Sequence, residues 1–200
     1  MWCADYSALL LWPKAILDIL HDEKRFILGA KQQGANATQG RWLVIPRTLS
    51  FVLYGQDVLL MKRAAHKRVF PNQYNGLGGH IEAGEDPYTS ALREIKEESD
   101  LNVVDLKMVA VHHINTGDEN GIMLFVFVGR ALSPDFVSDE REGTLHWVPI
   151  ADVQSYDLVE DLYHILPAYL EASDVVPRFA YVTYDNRDQI QLRYAMEDGQ

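Results

Sequence analysis

Three glutamates near the middle of the chain have the type and the spacing of metal ligands. Glu94, Glu97 and Glu98 stand at i, i+3 and i+4, so on an α-helix their carboxylates share one face. Like charges at i, i+4 destabilise a helix by roughly 0.2–0.5 kcal/mol. A solvated acidic face is the simpler interpretation. A glycine-rich turn precedes the acids, however, and this arrangement favours a hard divalent cation such as Mg²⁺, which takes carboxylate oxygens and substrate phosphates.

The segment Gly78–Leu101 supplies the elements that must position these acids. Asp86 followed by Pro87 is a favourable helix start, with aspartate as N-cap and proline at the first helical position. Side chains opposite the acids recur at helical spacing and predict the buried face: Tyr88, Ala91, Leu92, Ile95 and Ser99. Asp100 follows the helix, and because aspartate tolerates the left-handed conformation less well than glycine, we expect the helix to end there at a small cost.

The same segment, GGHIEAGEDPYTSALREIKEESDL, resembles the Nudix box, G-x5-E-x7-R-E-U-x-E-E-x-G-U, in which U is a bulky aliphatic residue. The residues that occupy specified positions of this pattern are Gly79, Glu85, Arg93, Glu94, Ile95, Glu97, Glu98 and Leu101. Asp100 differs, since the pattern has a second glycine there. The resemblance implies the Nudix fold, a mixed β-sheet between helices. It also implies hydrolysis of a nucleoside diphosphate linked to a further group.

The resemblance implies a set of metal ligands and one positioning residue. The expected ligands of Mg²⁺, with Mn²⁺ as an alternative, are Gly79 through its carbonyl, Glu94, Glu97 and Glu98. Arg93 is expected to hold this acid cluster in place, through Glu85 or Glu97, rather than to contact the substrate.

The identity of the general base stays open at this stage, because members of the family differ. Glu98 is the first choice. Glu140, in the acidic loop 133–143, is the second choice. A solvated acid is the alternative interpretation of Glu140.

Two residues outside the box are candidates for recognition of the base. The run from Asn75 to Gly79 resembles the N-G-x-G-G run of the MutT-like 8-oxo-dGTP diphosphatases, in which the asparagine bonds the purine. Asp161 matches the acidic residue with which that group reads the base. The group's stacking tryptophan falls near Val159 and is absent here. A turn residue before glycine is the alternative interpretation of Asn75.

The loop between residues 63 and 79 is unusually basic for an acidic protein. Its cationic or potentially cationic residues are Arg63, His66, Lys67 and Arg68. Glycines and a proline predict that this loop has no regular structure. It is either a solvated loop or a loop that faces phosphate, and because it leads into the metal segment, we take Arg63 as a candidate for substrate binding.

Composition limits the classes of function. The chain has 200 residues, of which 48% are hydrophobic, and a net charge of −11. An acidic chain argues against a broad nucleic-acid or anionic-membrane surface but not against a small phosphorylated substrate, since a bound metal and a few basic residues reverse the charge locally. Cys3 is the only cysteine, so no intrachain disulfide is expected and a reducing, cytoplasmic setting is the default. No apolar stretch approaches the roughly 20 residues of a membrane helix.

The chain divides into an N-terminal extension and one catalytic domain. Residues 1–40 are predicted to form a helix from Pro13 to about His21 and a linker over 29–40. Whether this extension packs on the domain or serves the partner of a homodimer stays open. Residues 41–200 are predicted to form the Nudix domain.

Periodicity predicts an α+β domain, an α/β/α sandwich. Three strand pairs are expected to form hairpins: 41–54 with 58–62, 103–115 with 121–131, and 178–184 with 189–194. A short strand over 145–148 and a late helix over 158–170 complete the pattern.

Three hypotheses for function follow. The first is a metal-dependent pyrophosphohydrolase that converts a nucleoside triphosphate, such as the oxidised purine nucleotide 8-oxo-dGTP, to the monophosphate and pyrophosphate. The second keeps the metal and changes the substrate to ADP-ribose or a nucleotide sugar. The third is a nucleotide-sensing module without catalysis, against which the three intact glutamates count.

Overall fold

The structure, a computed structural model, describes residues 34, 38–138, 140–170 and 176–195. The chain divides into two units, Met1–Arg41 and Trp42–Gln200. The helix predicted near residues 13–21 lies outside the described residues, and the role of residues 1–40 stays a prediction. All elements below belong to the second unit.

Strands of the described part form one mixed sheet, with two α-helices and a 3₁₀ helix around it. The strands are β1 (Leu43–Tyr54), β2 (Asp57–Arg63), β3 (Tyr74–Asn75), β4 (Val103–Ile114), β5 (Asn120–Ala131), β6 (Gly143–Pro149), β7 (Arg178–Tyr184) and β8 (Ile190–Tyr194). The helices are α1 (Pro87–Ser99), the 3₁₀ helix Ile150–Ser155 and α2 (Glu160–Leu170). Of the helices in the described ranges, none combines the length and the apolar character that a bilayer span requires.

The sheet combines the predicted hairpins with parallel pairings between distant strands. Its order is β3-β2-β1-β5-β4-β7-β8, and β6 also pairs with β2. The hairpins β1–β2, β4–β5 and β7–β8 are antiparallel, as predicted. The pairs β1–β5 and β4–β7 are parallel. The prediction of no regular structure over residues 63–79 is wrong at Arg63, which ends β2, and at Tyr74 and Asn75, which pair with β2.

Two hydrophobic cores lie on opposite faces of the sheet. Side chains alternate along β1, so Phe51 and its neighbours pack with α2, whereas Val52 packs with α1. The α2 side of the first core is formed by Leu162, Ile165, Leu166 and Tyr169, all buried. Ala91 and Ile95 are the fully buried residues through which α1 covers the other face. This arrangement confirms the predicted α/β/α sandwich.

The ends of α1 are those predicted from sequence. Asp86 accepts hydrogen bonds from the backbone N–H groups of Tyr88 and Thr89, at 2.8 and 3.0 Å. Asp100 adopts the left-handed conformation with φ 57°, and its N–H bonds the Lys96 carbonyl. Tyr88 is 47% exposed and meets the core only at the edge of the Phe127 ring, so the prediction that it belongs to the buried face is wrong.

His112 makes fold stability depend on pH. Its ring is buried and its Nε2 shares a 2.6 Å hydrogen bond with the Tyr169 hydroxyl. Burial lowers the pKa of His112 from 6.5 to about 4. Because the unfolded chain binds this proton more tightly, the stability is present above pH 6.5 and is lost as the pH falls towards 4, by up to about 3 kcal/mol.

Denaturant unfolding from pH 7 to 4 checks this prediction. His112→Gln should flatten the acid side of the stability profile, since glutamine does not titrate. The exposed His66→Gln is the control and should leave the profile as in wild type. An equal acid loss in the His112 variant would contradict the assignment.

Candidate active site

Arg93 joins three carboxylates into one cluster. Its Nε and Nη2 donate to the two oxygens of Glu85 at 2.6 and 3.0 Å, a bidentate pair. Its Nη1 donates to Glu94 Oε1 at 2.9 Å and to Glu97 Oε2 at 3.0 Å. Nη2 also reaches the His80 carbonyl. A single planar guanidinium therefore fixes the rotamers of acids from the loop and from the helix.

The charges of this cluster stabilise one another. The hydrogen bonds from Arg93 are the main reason why the pKa of Glu85 falls to about 2. The same bonds, first those to Glu85, raise the pKa of Arg93 further above its usual range. Arg93 is thus placed to hold the acids, as expected from the sequence, and it bonds both of the acids considered there.

Glu98 differs from the other two helix acids, because it points into the protein. Its Oε2 accepts a 2.9 Å hydrogen bond from the Gly78 backbone N–H. Burial raises the pKa of Glu98 to about 8, and the charges of Glu94 and Glu142 add to this effect, while the Gly78 N–H and Arg63 oppose it. The Glu97 side chain is 60% exposed and that of Glu94 is 14% exposed. The three acids share a helix face but not one environment.

Two glycines bring the loop backbone against these acids. A Cβ on Gly79 would lie 2.5 Å from Glu94 Oε1, so a side chain would displace that carboxylate. Gly78 has φ 141° and would overlap the Thr48 carbonyl if it carried a side chain. The Gly79 carbonyl accepts the Thr48 N–H at 2.9 Å and keeps a second lone pair for another partner. Glycine at both positions is thus required by close approach.

The chemistry of these oxygens fits a divalent cation. Carboxylates and a backbone carbonyl are the ligands that Mg²⁺ and Mn²⁺ prefer. Glu94 and Glu97 each give one oxygen to Arg93, and Glu98 gives one to Gly78, so each retains a free oxygen. Within the described residues, no three acidic, histidine or cysteine side chains form a closed ligand group. The ligand assignment therefore stays a prediction.

The basic loop divides into residues near the acids and residues in solvent. Arg63 lies within electrostatic reach of Glu98 and donates from Nε to the Val69 carbonyl at 2.9 Å. Lys67 forms an ion pair with Glu142 at 2.5 Å. His66 and Arg68 are exposed. Of these four residues, Arg63 is the one that the structure places beside the candidate site.

The acidic loop places Glu142, rather than Glu140, near the cluster. Glu140 is exposed in a turn and forms no hydrogen bond or ion pair with a described residue. Glu142 contributes to the raised pKa of Glu98, and its carbonyl accepts the Ala64 N–H at 3.0 Å. Glu142 was not predicted from sequence, because it is brought to this place by the pairing of the adjacent strand Gly143–Pro149 with β2.

Asn75 and Asp161 come from segments that pair with each other. Tyr74 donates to the Asp157 carbonyl and accepts the Val159 N–H, at 2.8 and 3.0 Å. This pairing brings β3 beside the start of α2. Asn75 Oδ1 accepts the Gly76 N–H, which leaves its side-chain N–H groups available. Asp161 Oδ1 is buried with no hydrogen-bond partner, and burial raises the pKa of its carboxyl.

Known proteins resemble this chain in sequence. The NUDIX domain family matches residues 44–169. The uncharacterized Nudix hydrolase YvcI of Bacillus subtilis is 29% identical over 118 residues, 54% of this chain and 75% of its own length. An uncharacterized Nudix hydrolase of Nostoc, all7351, is 35% identical over 100 residues, 47% of this chain and 57% of its own length.

Solved structures show the same fold. The MutT protein of Bacillus halodurans superposes with a TM-score of 0.66 at 20% identity, over 77% of this chain and 99% of its own. The bifunctional NMN adenylyltransferase/ADP ribose pyrophosphatase of Francisella tularensis, solved with AMP and a manganese ion, has a TM-score of 0.55 at 18% identity, over 77% of this chain and 48% of its own. The family match, the fold and the glutamate cluster lead to one conclusion: the chain belongs to the Nudix hydrolase family, whose members act on pyrophosphate bonds of nucleoside diphosphate derivatives.

Proposed function

We propose that the chain is a metal-dependent pyrophosphohydrolase that cleaves a nucleoside triphosphate to the monophosphate and pyrophosphate. The observation that carries this proposal is the cluster in which Arg93 ties Glu85, Glu94 and Glu97 together against Gly79. Mg²⁺ is the proposed ion and Mn²⁺ the alternative. The Francisella neighbour, named as an ADP ribose pyrophosphatase with a manganese ion, supports the metal class but names a different substrate.

The residues of the cluster have distinct proposed tasks. Glu94, Glu97, Glu98 and the Gly79 carbonyl would hold the divalent ion, which when bound neutralises phosphate charge and polarises the phosphoryl group. Arg93 keeps the carboxylates in position. Glu98, anchored at Oε2 by Gly78, has one remaining oxygen, Oε1, which serves either as a ligand of the ion or as the acceptor of the proton of the attacking water. Glu140 is the weaker candidate for this task, because it is exposed and bonds none of the described residues.

The geometry around β3 supports a purine as the base. Asn75 has free amide N–H groups, which can donate to a purine carbonyl. The unpartnered Asp161 Oδ1 lies at the start of the helix that β3 approaches. Val159 is buried in the core, so it does not take the place of the stacking tryptophan. An oxidised purine deoxynucleotide is the proposed first substrate.

A substrate panel with the purified chain tests this proposal. It compares 8-oxo-dGTP, the four ordinary dNTPs, ADP-ribose and a cap analogue, each with Mg²⁺, Mn²⁺ or a chelator. The cap analogue is included because a curated Xenopus laevis relative, 32% identical over 68 residues, is an m7GpppN-mRNA hydrolase. Metal-dependent turnover of a dNTP supports the proposal. Turnover of ADP-ribose alone favours the nucleotide-sugar alternative, and binding without turnover favours the sensing module.

Replacement of Asn75 should change base preference more than phosphate chemistry. Asn75→Ala removes one hydrogen bond, so we expect KM for the preferred purine substrate to rise by about 2–10-fold with kcat nearly unchanged. Asn102→Ala, at an exposed asparagine after α1, is the matched control. Steady-state kinetics on one purine and one pyrimidine triphosphate provide the test. An equal loss on both bases would show that Asn75 does not read the base.

A further inference from the structure

Arg47 is a half-buried arginine on β1 whose charge lacks a partner among the described residues. Its Nε is fully buried and donates to no acceptor, and no described carboxylate forms an ion pair with it. Buried polar groups are almost always hydrogen-bonded, and buried charges are almost always paired. The chain contains 29 acidic residues, so acids are not scarce. A guanidinium whose Nε is buried without an acceptor in the described part of the chain favours an anionic ligand from outside.

The backbone places Arg47 directly beside the glycine loop. Arg47 stands opposite His80 in an antiparallel bridge, and the next residue, Thr48, donates its N–H to the Gly79 carbonyl. Because side chains alternate along a strand, Thr48 and Arg47 point to opposite faces of the sheet. Gly79 approaches Glu94 on the α1 side, so Arg47 lies next to the loop but away from the acid cluster. This position explains why none of the cluster's carboxylates neutralises it.

Arg63 is a second cation in the same neighbourhood. Burial lowers the pKa of Arg47, and the charge of nearby Arg63 lowers it further. The charge of Arg63 also lowers the pKa of the Glu98 carboxyl. Arg63 therefore lies within electrostatic reach of both Arg47 and the candidate metal site. Its Nε bonds the Val69 carbonyl, while no described acid forms an ion pair with it. Two neighbouring guanidinium groups that form no ion pair with a described acid favour a polyanion.

We infer that Arg47, together with Arg63, binds the phosphate chain of the substrate on the side of the glycine loop away from Glu94. This inference rests on the proposed function, because it states how the same site binds its polyphosphate substrate. Arginine suits this task, since its planar fork bonds two phosphate oxygens at once. Nothing in the sequence pattern singled out Arg47, because it lies in an otherwise apolar strand 31 residues before Gly78.

The test measures binding of inorganic tripolyphosphate by calorimetry, in chelator, to wild type, Arg47→Met and Arg47→Lys. Arg193→Met is the matched control, since Arg193 lies on β8, over the Tyr181 ring of β7. We expect Arg47→Met to weaken binding by about 10-fold or more, Arg47→Lys to weaken it less, and Arg193→Met to leave it unchanged. Without ligand, Arg47→Met should melt at the same or a higher temperature than wild type, because an unpaired half-buried charge is removed.

Two outcomes would overturn the inference: unchanged tripolyphosphate affinity in both Arg47 variants, or a ligand-free melting temperature well below wild type in both, which would mark a structural arginine. The measurement does not depend on turnover. Weakened tripolyphosphate binding in a chain that hydrolyses no nucleotide would therefore refute the proposed function while supporting the role of Arg47. Nucleotide hydrolysis with unchanged KM and unchanged tripolyphosphate binding in Arg47→Met would refute the role of Arg47 alone.

Discussion

Replacing Glu98 with Gln should lower kcat for the preferred triphosphate by about 10²–10⁴-fold, because it removes the carboxylate that serves as metal ligand or as proton acceptor. A glutamine at this position would keep the shape of the side chain and the bond from the Gly78 N–H. The fold should therefore persist, with a melting temperature in chelator no lower than that of wild type. Steady-state kinetics at saturating Mg²⁺ measure the loss.

Variants of two other glutamates show whether the loss of activity is specific to Glu98. Glu119→Gln, at an exposed position in the turn between β4 and β5, is the matched control and should retain wild-type activity. Glu140→Gln decides between the two candidates for the general base. If that variant loses activity as severely as expected for Glu98→Gln while Glu98→Gln retains turnover, the base is Glu140 and our assignment is wrong.

Replacing Arg93 with Lys should lower kcat by about 10–100-fold, the range typical of losing a group that orients metal ligands. Lysine keeps the positive charge but cannot bond Glu85 with two nitrogens while reaching Glu94 and Glu97. KM should change less than kcat, because Arg93 is proposed to act through the carboxylates and not to contact the substrate. Apparent Mg²⁺ affinity should fall in parallel.

The control for Arg93 lies on the same helix. Lys96 pairs with Asp100 at the solvent-exposed end of α1, and Lys96→Met should have wild-type kinetics. Arg93→Met should also destabilise the protein, since three carboxylates would lose their common partner. A normal Mg²⁺ dependence in both Arg93 variants would contradict the positioning role.

Local features of the fold could be predicted from sequence, because their causes are local. Asp86 and Pro87 start α1, and Asp100 ends it in the left-handed conformation, as cap chemistry requires. The three hairpins follow from alternating apolar residues on either side of short turns. The parallel pairings β1–β5 and β4–β7 join segments that are far apart in the chain, and no periodicity within a segment specifies its distant neighbour.

In the candidate site, too, local features could be predicted from sequence, whereas contacts between distant segments could not. Helical spacing places Glu94, Glu97 and Glu98 on one face, but it cannot show that Glu98 turns inward to the Gly78 N–H. That orientation depends on the approach of a loop 20 residues away. Glu142 is close to Glu98 because β6 pairs with β2, which the sequence did not reveal. Arg47 was missed because its significance depends on its surroundings in the fold, where no described acid forms an ion pair with it.

The central claim, pyrophosphohydrolysis by the glutamate cluster, is tested most directly by identifying the products of one reaction. The purified chain is incubated with 8-oxo-dGTP and Mg²⁺, with Glu98→Gln in parallel, and nucleotides and phosphates are separated by anion-exchange chromatography. We expect equal amounts of nucleoside monophosphate and pyrophosphate from wild type, at most traces of either product from Glu98→Gln, and neither product in chelator. Release of orthophosphate and the diphosphate, or undiminished turnover by Glu98→Gln, would contradict the account.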